Sequence, residues 1–587
     1  MVIRTKIICT IGPSCDTLPK IIELMNAGMN IARLNFSHGT HSQHFETIRN
    51  LKEAREQLQR PLAIMLDTKG PELRLGKIKD EQCTLHAGAK WLLVRDEIEG
   101  NQEKVSVNPP SSLDCLKVGD QVLFDDGYIS SKVVEVSPEG VHVIIENSGI
   151  IKTGKKVNVP DVFLNLPLVT PSDIEDIRFG CKNDIDIIAA SFVYSASHVL
   201  AIRKLLEEEN KPEIMIVAKI ENREGVHNFD SIVQVADGIM IARGDLGVEV
   251  PISEVPRLQK MMIRKSYLAG KPAVTATQML ESMINSPRPT RAEVSDVANA
   301  IYDSSSAVML SGETAVGKYP LETVQVMKSI IQQAEDDFDY RSFFKQHADL
   351  IYHDVPSSVT LATVKTAYSS NARAIFAFTS GGGTARLLSR LRPSMPIIAL
   401  TPNKKSFHQM SIFWGVNSFY SDRATTVTEA FSQTSEFAIA NDLASYGDLV
   451  VVTAGAPFGI SGTTNMMMVE SIGDVLVRGN SGYGLRVHGK VSLVLSPETK
   501  AKYAALGKIL VIAQCDPAYD SLIEECLGVI LQNHIDDHDS EIYLTRMAGI
   551  CDKPYVVRAD AATRILKEGQ LVTLDPDKAL VYKGVVF

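Results

Sequence analysis

Apolar and polar positions along this chain change rhythm in blocks. TKIICTIG, NIARLNF and LAIMLDT are short β-rich runs. Between them apolar residues recur three or four apart, which predicts helices over Pro19–Ala27 and Ser42–Leu58. From Pro71 to Val169 the helical period is absent. The alternating segments WLLV, DQVLF, SSKVVEV and GVHVIIE, separated by Gly, Asp, Pro and Asn, predict a small all-β module. At Pro171 the first rhythm returns. DIDIIAAS, PEIMIVAK, ADGIMIA, KPAVTAT and SAVMLS are candidate strands, with helical patterns such as Ser195–Glu208, Ser253–Ala269 and Arg291–Tyr302 between them.

Three strands before the insert and five after it make eight β/α units. Continuous apolar strands alternating with helices predict a parallel sheet covered by helices, and eight is the number that closes a barrel. An open doubly wound sheet satisfies the same alternation, so the polar positions must decide. The expected organisation is α/β: a (β/α)8 TIM barrel from 1–70 and 170–342, and an inserted β-barrel lid at 71–169. A doubly wound α/β domain follows at 343–473, on the strands ARAIFAFT, MPIIALT and DLVVVTAG, and a further module at 474–587 carries KILVIAQ, LGVILQ and PYVVRA.

Composition narrows the function classes. At 587 residues the chain exceeds the roughly 250–300 at which a single core stops growing. With 45% hydrophobic and 22% charged residues it is neither disordered nor a disulfide-stapled scaffold. The net charge of −10, from 60 Lys+Arg against 70 Asp+Glu, leaves no surplus of cations for a nucleic-acid backbone. No apolar run approaches a membrane span, and eight cysteines without a C-x-x-C pair suit the reduced thiols of a cytoplasmic protein.

In a β/α barrel, chemistry gathers at the carboxyl ends of the strands. Those ends read Arg33, Asn35, Phe36, Ser37 and His38; Asp67, Thr68 and Lys69; Ser191; Lys219 and Glu221; Arg243, Gly244 and Asp245; Thr277; and Ser311, Gly312 and Glu313. One polar residue at a strand end is ordinary, but seven of eight strands bringing polar groups to one rim mark a site. Lys219 and Glu221, two apart, point to the same side of a strand. With Asp245 from the neighbouring strand, two carboxylates and a cation share one space. That set suits Mg²⁺ or Mn²⁺, which keep waters beside few protein ligands. A dication, Lys219 and Arg33 around one point suit a phosphoryl group in transfer. Asn35, Ser37, Asp67 and Thr68 offer oxygens with a single charge, either for a monovalent cation or as an Asx or Ser turn closing the strand.

TKIICTIGPS, GMNIARLNFSHG, LDTKGPELR, AKIEN, IARGDLGVE, TATQMLESMINSPRPTRAEVSDVANA and MLSGETAVGKYP resemble the signature segments of the pyruvate kinase family, over residues 3 to about 473. The resemblance implies a barrel with a β domain inserted after its third strand and a C-terminal α/β domain. It implies transfer of a phosphoryl group from phosphoenolpyruvate to ADP, giving ATP and pyruvate, with Mg²⁺ and K⁺, in a homotetramer. Matched residue by residue, it implies Mg²⁺ on Glu221 and Asp245, the phosphoryl group on Arg33 and Lys219, and the pyruvate carboxylate against Gly244, Asp245 and Thr277. It further implies K⁺ on Asn35, Ser37, Asp67 and Thr68, with Glu72 matching the residue of K⁺-dependent members. Nucleotide would meet Asn35, Phe36, Ser37, His38, Arg74 and a lid lysine matched to Lys155, while Thr277 and Ser311 with water are candidates to protonate the enolate. The family's K-G-V-N-L-P-G segment reads Lys155-Lys156-Val157-Asn158-Val159-Pro160-Asp161 here, with charge in place of both glycines.

Thr379, Ser380, Gly381, Gly382, Gly383 and Thr384 precede the helical ARLLSRLRP. This is either a phosphate cradle at a helix start or a tight capped turn; the resemblance implies a phosphorylated allosteric effector there. Residues 474–587 resemble the swivelling module of enzymes that use phosphoenolpyruvate, appended in some bacterial members. The phosphate-accepting His of such modules is missing, since its place reads Glu541-Ile542-Tyr543-Leu544. His534 and His538 in NHIDDHD carry no helix signal and read as a solvated loop, which leaves the module a structural or regulatory role.

Overall fold

The computed structural model describes residues 3–164, 166–348, 354–424, 426–457, 462–497 and 504–586. Eight strands run parallel: Lys6–Thr10, Met29–Asn35, Ala63–Asp67, Ile187–Ala190, Met215–Ile220, Gly238–Ala242, Ala273–Ala276 and Ala307–Leu310. Lys6 pairs with Ala307, so the sheet closes on itself and the open alternative is excluded. Each strand is a run of Ile, Val, Ala, Met and Leu because it packs inward on side chains and outward on helices. The helices carry the caps that a bounded element needs. Thr40 and Gln43 form a capping box ahead of His41–Gln57, as do Thr290 and Glu293 ahead of Arg291–Tyr302.

The insert is a second closed barrel of seven strands, from Leu73–Leu75 to Lys156–Asn158, with Gln82–Leu85 and Gly149–Lys152 paired beside it. Its core centres on Trp91, which meets Phe124 edge-on at 5.2 Å. The chain enters it through Gly70, at φ +77°, where a Cβ would lie 2.9 Å from the Ser191 carbonyl oxygen. Only glycine fits this corner.

The chain forms two compact units. One comprises Met1–Val364, Ala377–Arg423 and Thr453–Met466; the other comprises Lys365–Phe376, Ala424–Val452 and Met467–Phe587. This division does not follow the expected boundaries at 343 and 473. Within the first unit Ile397–Thr401 pairs in parallel with Val416–Tyr420. Val416–Tyr420 and Thr464–Ser471 are half-exposed, so they lack the continuous apolar run that identifies ARAIFAFT, MPIIALT and DLVVVTAG as strands.

Within the second unit an eight-stranded mixed sheet holds Ile509–Ile512, Gly528–Leu531 and Tyr555–Val557 as parallel neighbours near its middle. One expectation fails here. His538 is not in a loop but opens the helix His538–Cys551, where the Asp537 side chain caps the Ser540 amide at 3.1 Å. His534 remains exposed beside Asp536. Among the described residues no helix is long and apolar enough to cross a membrane.

Two histidines shielded from water, His198 buried and His408 half-buried, make stability depend on pH. His408, on Lys404–Gln409, accepts the Leu62 amide through Nδ1 at 3.3 Å, which requires the neutral ring. Burial pushes the pKa values of His408 and His198 down to about 4. An unfolded histidine binds its proton near about 6.5. Between these values the unfolded chain holds more protons, so stability falls as pH drops from about 6.5 to about 4. Urea unfolding midpoints across that interval should decline, and His408→Gln should make the decline shallower. An unchanged slope in the variant would contradict the assignment.

Candidate active site

The rim is organised by one buried carboxylate. Asp67, the last residue of the third strand, receives Arg33 Nε at 2.6 Å on one oxygen and Lys219 Nζ at 2.9 Å on the other. Arg33 and Asp67 come from adjacent strands, with Arg33 Nη1 also bonded to Thr10 Oγ1 at 2.9 Å. Lys219 donates to Ser191 Oγ at 2.6 Å, and Ser191 Oγ in turn donates to the carbonyl of Thr68. Burial alone would raise Asp67 and lower Lys219. Arg33 and Lys219 outweigh it and hold the Asp67 carboxyl below its usual range, while Asp67 and Glu221 keep Lys219 above its own. Lys219 is therefore charged at neutral pH.

Glu221 sits where the two-residue spacing places it, with Oε1 3.2 Å from Lys219 Nζ. Its other oxygen accepts the Phe192 amide at 2.6 Å. Asp245 comes from the first turn of Arg243–Glu249, the helix that follows the sixth strand, rather than from the strand itself. There the helix dipole favours a negative charge. Burial, then the neighbouring Asp245, drive the Glu221 carboxyl upward. Asp245 moves downward, because Lys156 more than offsets its burial. Glu221 is thus left short of positive charge while Lys156 compensates Asp245, and a dication shared by the two carboxylates would supply what Glu221 lacks. Among the described residues no cluster of three or more His, Cys, Asp or Glu gathers for a metal. Two carboxylates fit Mg²⁺, which keeps waters beside few protein ligands, better than an ion needing a full protein cage.

Thr277 lies one residue beyond the seventh strand at φ +66°, an outlier for a β-branched side chain. Its hydroxyl accepts the Gly244 amide at 2.8 Å, and Arg243 Nη2 clamps its carbonyl at 2.8 Å. Arg243 thereby positions Thr277 while its guanidinium turns away to Asp296. Ser311 uses its amide to hold Glu313, at 2.7 Å. Asn35 and Asp67 are register partners, so Asn35, Ser37, Asp67 and Thr68 form one contiguous set. Thr68 Oγ1 accepts the Ser191 amide, and Asn35 Oδ1 accepts the Ser37 amide.

Several expectations need revision. Phe36 cannot offer its ring to a nucleotide, because that ring is buried and stacks on His44 with centroids 4.0 Å apart. Its amide is also engaged, by the Asp67 carbonyl at 3.0 Å. His38 is exposed at the same rim, and Arg74 pairs with Glu72 at 2.6 Å. Lys155 faces Asp125 within the lid at 2.6 Å. Lys156, the first residue of the strand Lys156–Asn158, turns toward the barrel and pairs with Asp245. Neither Lys156 nor Phe192 is among the residues that the family motifs single out, and both meet at the rim. The Thr384 hydroxyl is buried against Thr464 Oγ1 at 2.6 Å and is not presented to a ligand, whereas Gly383 borders open space.

Comparison with known proteins follows the same outline. The pyruvate kinase barrel-domain family model matches residues 2–324, and the pyruvate kinase alpha/beta-domain model matches residues 357–470. A pyruvate kinase of Geobacillus stearothermophilus is 42% identical over 584 residues, covering 99% of each chain. One from Bacillus licheniformis is 40% identical over 584 residues, again covering 99% of each. The crystal structure of a pyruvate kinase from Cryptosporidium parvum superposes with a TM-score of 0.76 at 39% identity, covering 80% of this chain and 96% of that one. The chain belongs to the pyruvate kinase family, the phosphotransferases that make ATP and pyruvate from phosphoenolpyruvate and ADP.

Proposed function

We propose that phosphoryl transfer from phosphoenolpyruvate to ADP runs at the Arg33–Asp67–Lys219 rim, with Lys219 as the principal stabilising group. The observation that carries this reading is the single buried Asp67 carboxylate, which holds the Arg33 guanidinium and the Lys219 ammonium side by side. The bond between phosphorus and the enol oxygen breaks as a new one forms to the terminal phosphate oxygen of ADP. Charge spreads over three equatorial oxygens meanwhile, and preorganised cations are most effective against it in a dry site. Glu221 and Asp245 would hold the divalent cation, which supplies further neutralisation of those oxygens. The Gly244 amide and Thr277 hydroxyl would orient the carboxylate of the substrate. Proton delivery to the enolate falls to Thr277 or Ser311 through water.

Nucleotide is assigned to Asn35, Ser37, His38 and Arg74, and K⁺ to Asn35, Ser37, Asp67 and Thr68. Support for the K⁺ assignment is that Glu72, rather than a lysine, stands before Arg74. Residues 474–587 are assigned as a swivelling-type appendage that does not carry phosphate, and the assembly as a homotetramer. At position 541 a glutamate bonds the Asn533 amide at 2.9 Å and pairs with Arg558, so that point of the module holds no nucleophile for phosphate.

A lactate dehydrogenase-coupled assay tests the central assignment. Lys219→Met should fold normally and lose roughly 10²–10³-fold or more in kcat; near-normal turnover would contradict it. Replacing K⁺ by Na⁺ should lower the rate sharply, and equal rates in the two salts would contradict the reading of Glu72 and of the oxygen set. The uncapped start of Gly383–Arg390 would take the phosphate of an effector. A Cβ at Gly383 meets nothing within 4 Å, so Gly383→Asp leaves the turn intact while adding a repelling charge. Calorimetric heat from sugar phosphates or nucleoside monophosphates should vanish in that variant, and heat that persists would contradict the site.

A further inference from the structure

Lys156 and Asp161 stand where the family segment has glycine, and both side chains reach the barrel. Lys156 Nζ contacts Asp245 Oδ1, lies 3.5 Å from Glu72 Oε1 and sits 4.2 Å from the centre of the Phe192 ring. Asp161 keeps a glycine-like backbone, at φ +65°, yet carries a carboxylate that pairs with Arg223 at 2.5 Å. Between these two positions, Asn158 Nδ2 donates to Glu249 Oε1 at 2.6 Å. One short lid segment therefore makes three polar contacts to the barrel, two of them from the positions that depart from glycine.

The contacts are unequal. The Asp161 and Arg223 side chains are 67% and 42% exposed, a setting in which an ion pair contributes little. The Lys156 side chain is only 12% exposed and its partner Asp245 30%, so solvent screens that pair far less. Lys156 also meets one of the two carboxylates assigned to the divalent ion, where an ammonium and a dication satisfy the same deficit of positive charge. Both cannot sit in contact with one carboxylate oxygen.

We propose that Lys156 is a lid-borne positioning residue that holds Asp245 in place of the divalent cation, so that entry of the ion and release of this lid contact are a single exchange. The inference rests on the assignment of Glu221 and Asp245 as the metal pair. The ammonium, once displaced, is carried by the lid strand at the mouth of the site, where incoming phosphates add negative charge. Asp161 and Asn158 keep the lid segment near the barrel during the exchange.

The test is Mn²⁺ binding to the whole enzyme without substrates, read from the spin-resonance signal of the free ion. Lys156→Met, which keeps the stem over Phe192, should bind Mn²⁺ roughly tenfold more tightly than wild type, equivalent to about 1.4 kcal/mol. Lys156→Arg should stay near wild type, and Asp161→Gly should leave Mn²⁺ affinity unchanged. Hydrogen exchange at residues 155–161 should quicken when Mn²⁺ is added to wild type and be fast from the outset in Lys156→Met. Equal or weaker Mn²⁺ binding by Lys156→Met, with Asp245→Asn losing the ion, overturns the exchange and leaves the metal assignment standing. Binding that survives Asp245→Asn overturns the assignment and the inference together.

Discussion

A lone carboxylate bridging two buried cations is the constraint around which the site is arranged. Desolvating an arginine and a lysine costs several kcal/mol each unless a partner is placed with good geometry. Asp67 is that partner for both, while Ser191 accepts a further bond from Lys219 and Thr10 accepts one from Arg33. The geometry requires that the second, third and fifth strands keep fixed register, because each residue enters from a different strand. Barrel closure is thus a condition for the charge arrangement as well as for the core. An open sheet would leave its edge strands far apart and could not hold so many strand ends around one point.

The lid adds a second constraint. Gly70 permits the chain to leave the third strand in a conformation that a side chain would block, and the lid returns its last strand over Asp245 and Glu249. Covering the rim removes water, which strengthens every interaction with the transferring group. Between the lid and the barrel lies a half-open cavity of about 560 Å³ whose walls include Val157 and Leu164 on one side and Phe192 and Tyr194 on the other. Charged side chains, among them Lys156, Arg223 and Glu249, line it as well.

Much of this was legible in the amino-acid order because the inner strands are unbroken apolar runs and the rim residues follow them directly. The spacing of Lys219 and Glu221 fixed their shared side, and they stand 3.2 Å apart. Other features were hidden for physical reasons. The strands Val416–Tyr420 and Thr464–Ser471 are half-exposed and so lack a continuous apolar signature. The helix at His538 starts on an acidic turn whose capping by Asp537 was outweighed by the polar look of the segment. Phe36 reads as a rim residue by position, yet its backbone turn carries the ring into the stack with His44. Lys156 was obscured by its neighbour Lys155, since a motif match compares letters and not the faces of a strand.

The most direct measurement is a crystal structure of the enzyme with Mn²⁺ and a non-reacting phosphate or oxalate analogue, with the ion located by its anomalous scattering. The expected result is one Mn²⁺ bonded to both Glu221 and Asp245, with the anion touching the ion, Arg33 and Lys219 together. An ion bound away from either carboxylate, or an anion that contacts neither Arg33 nor Lys219, would contradict the account.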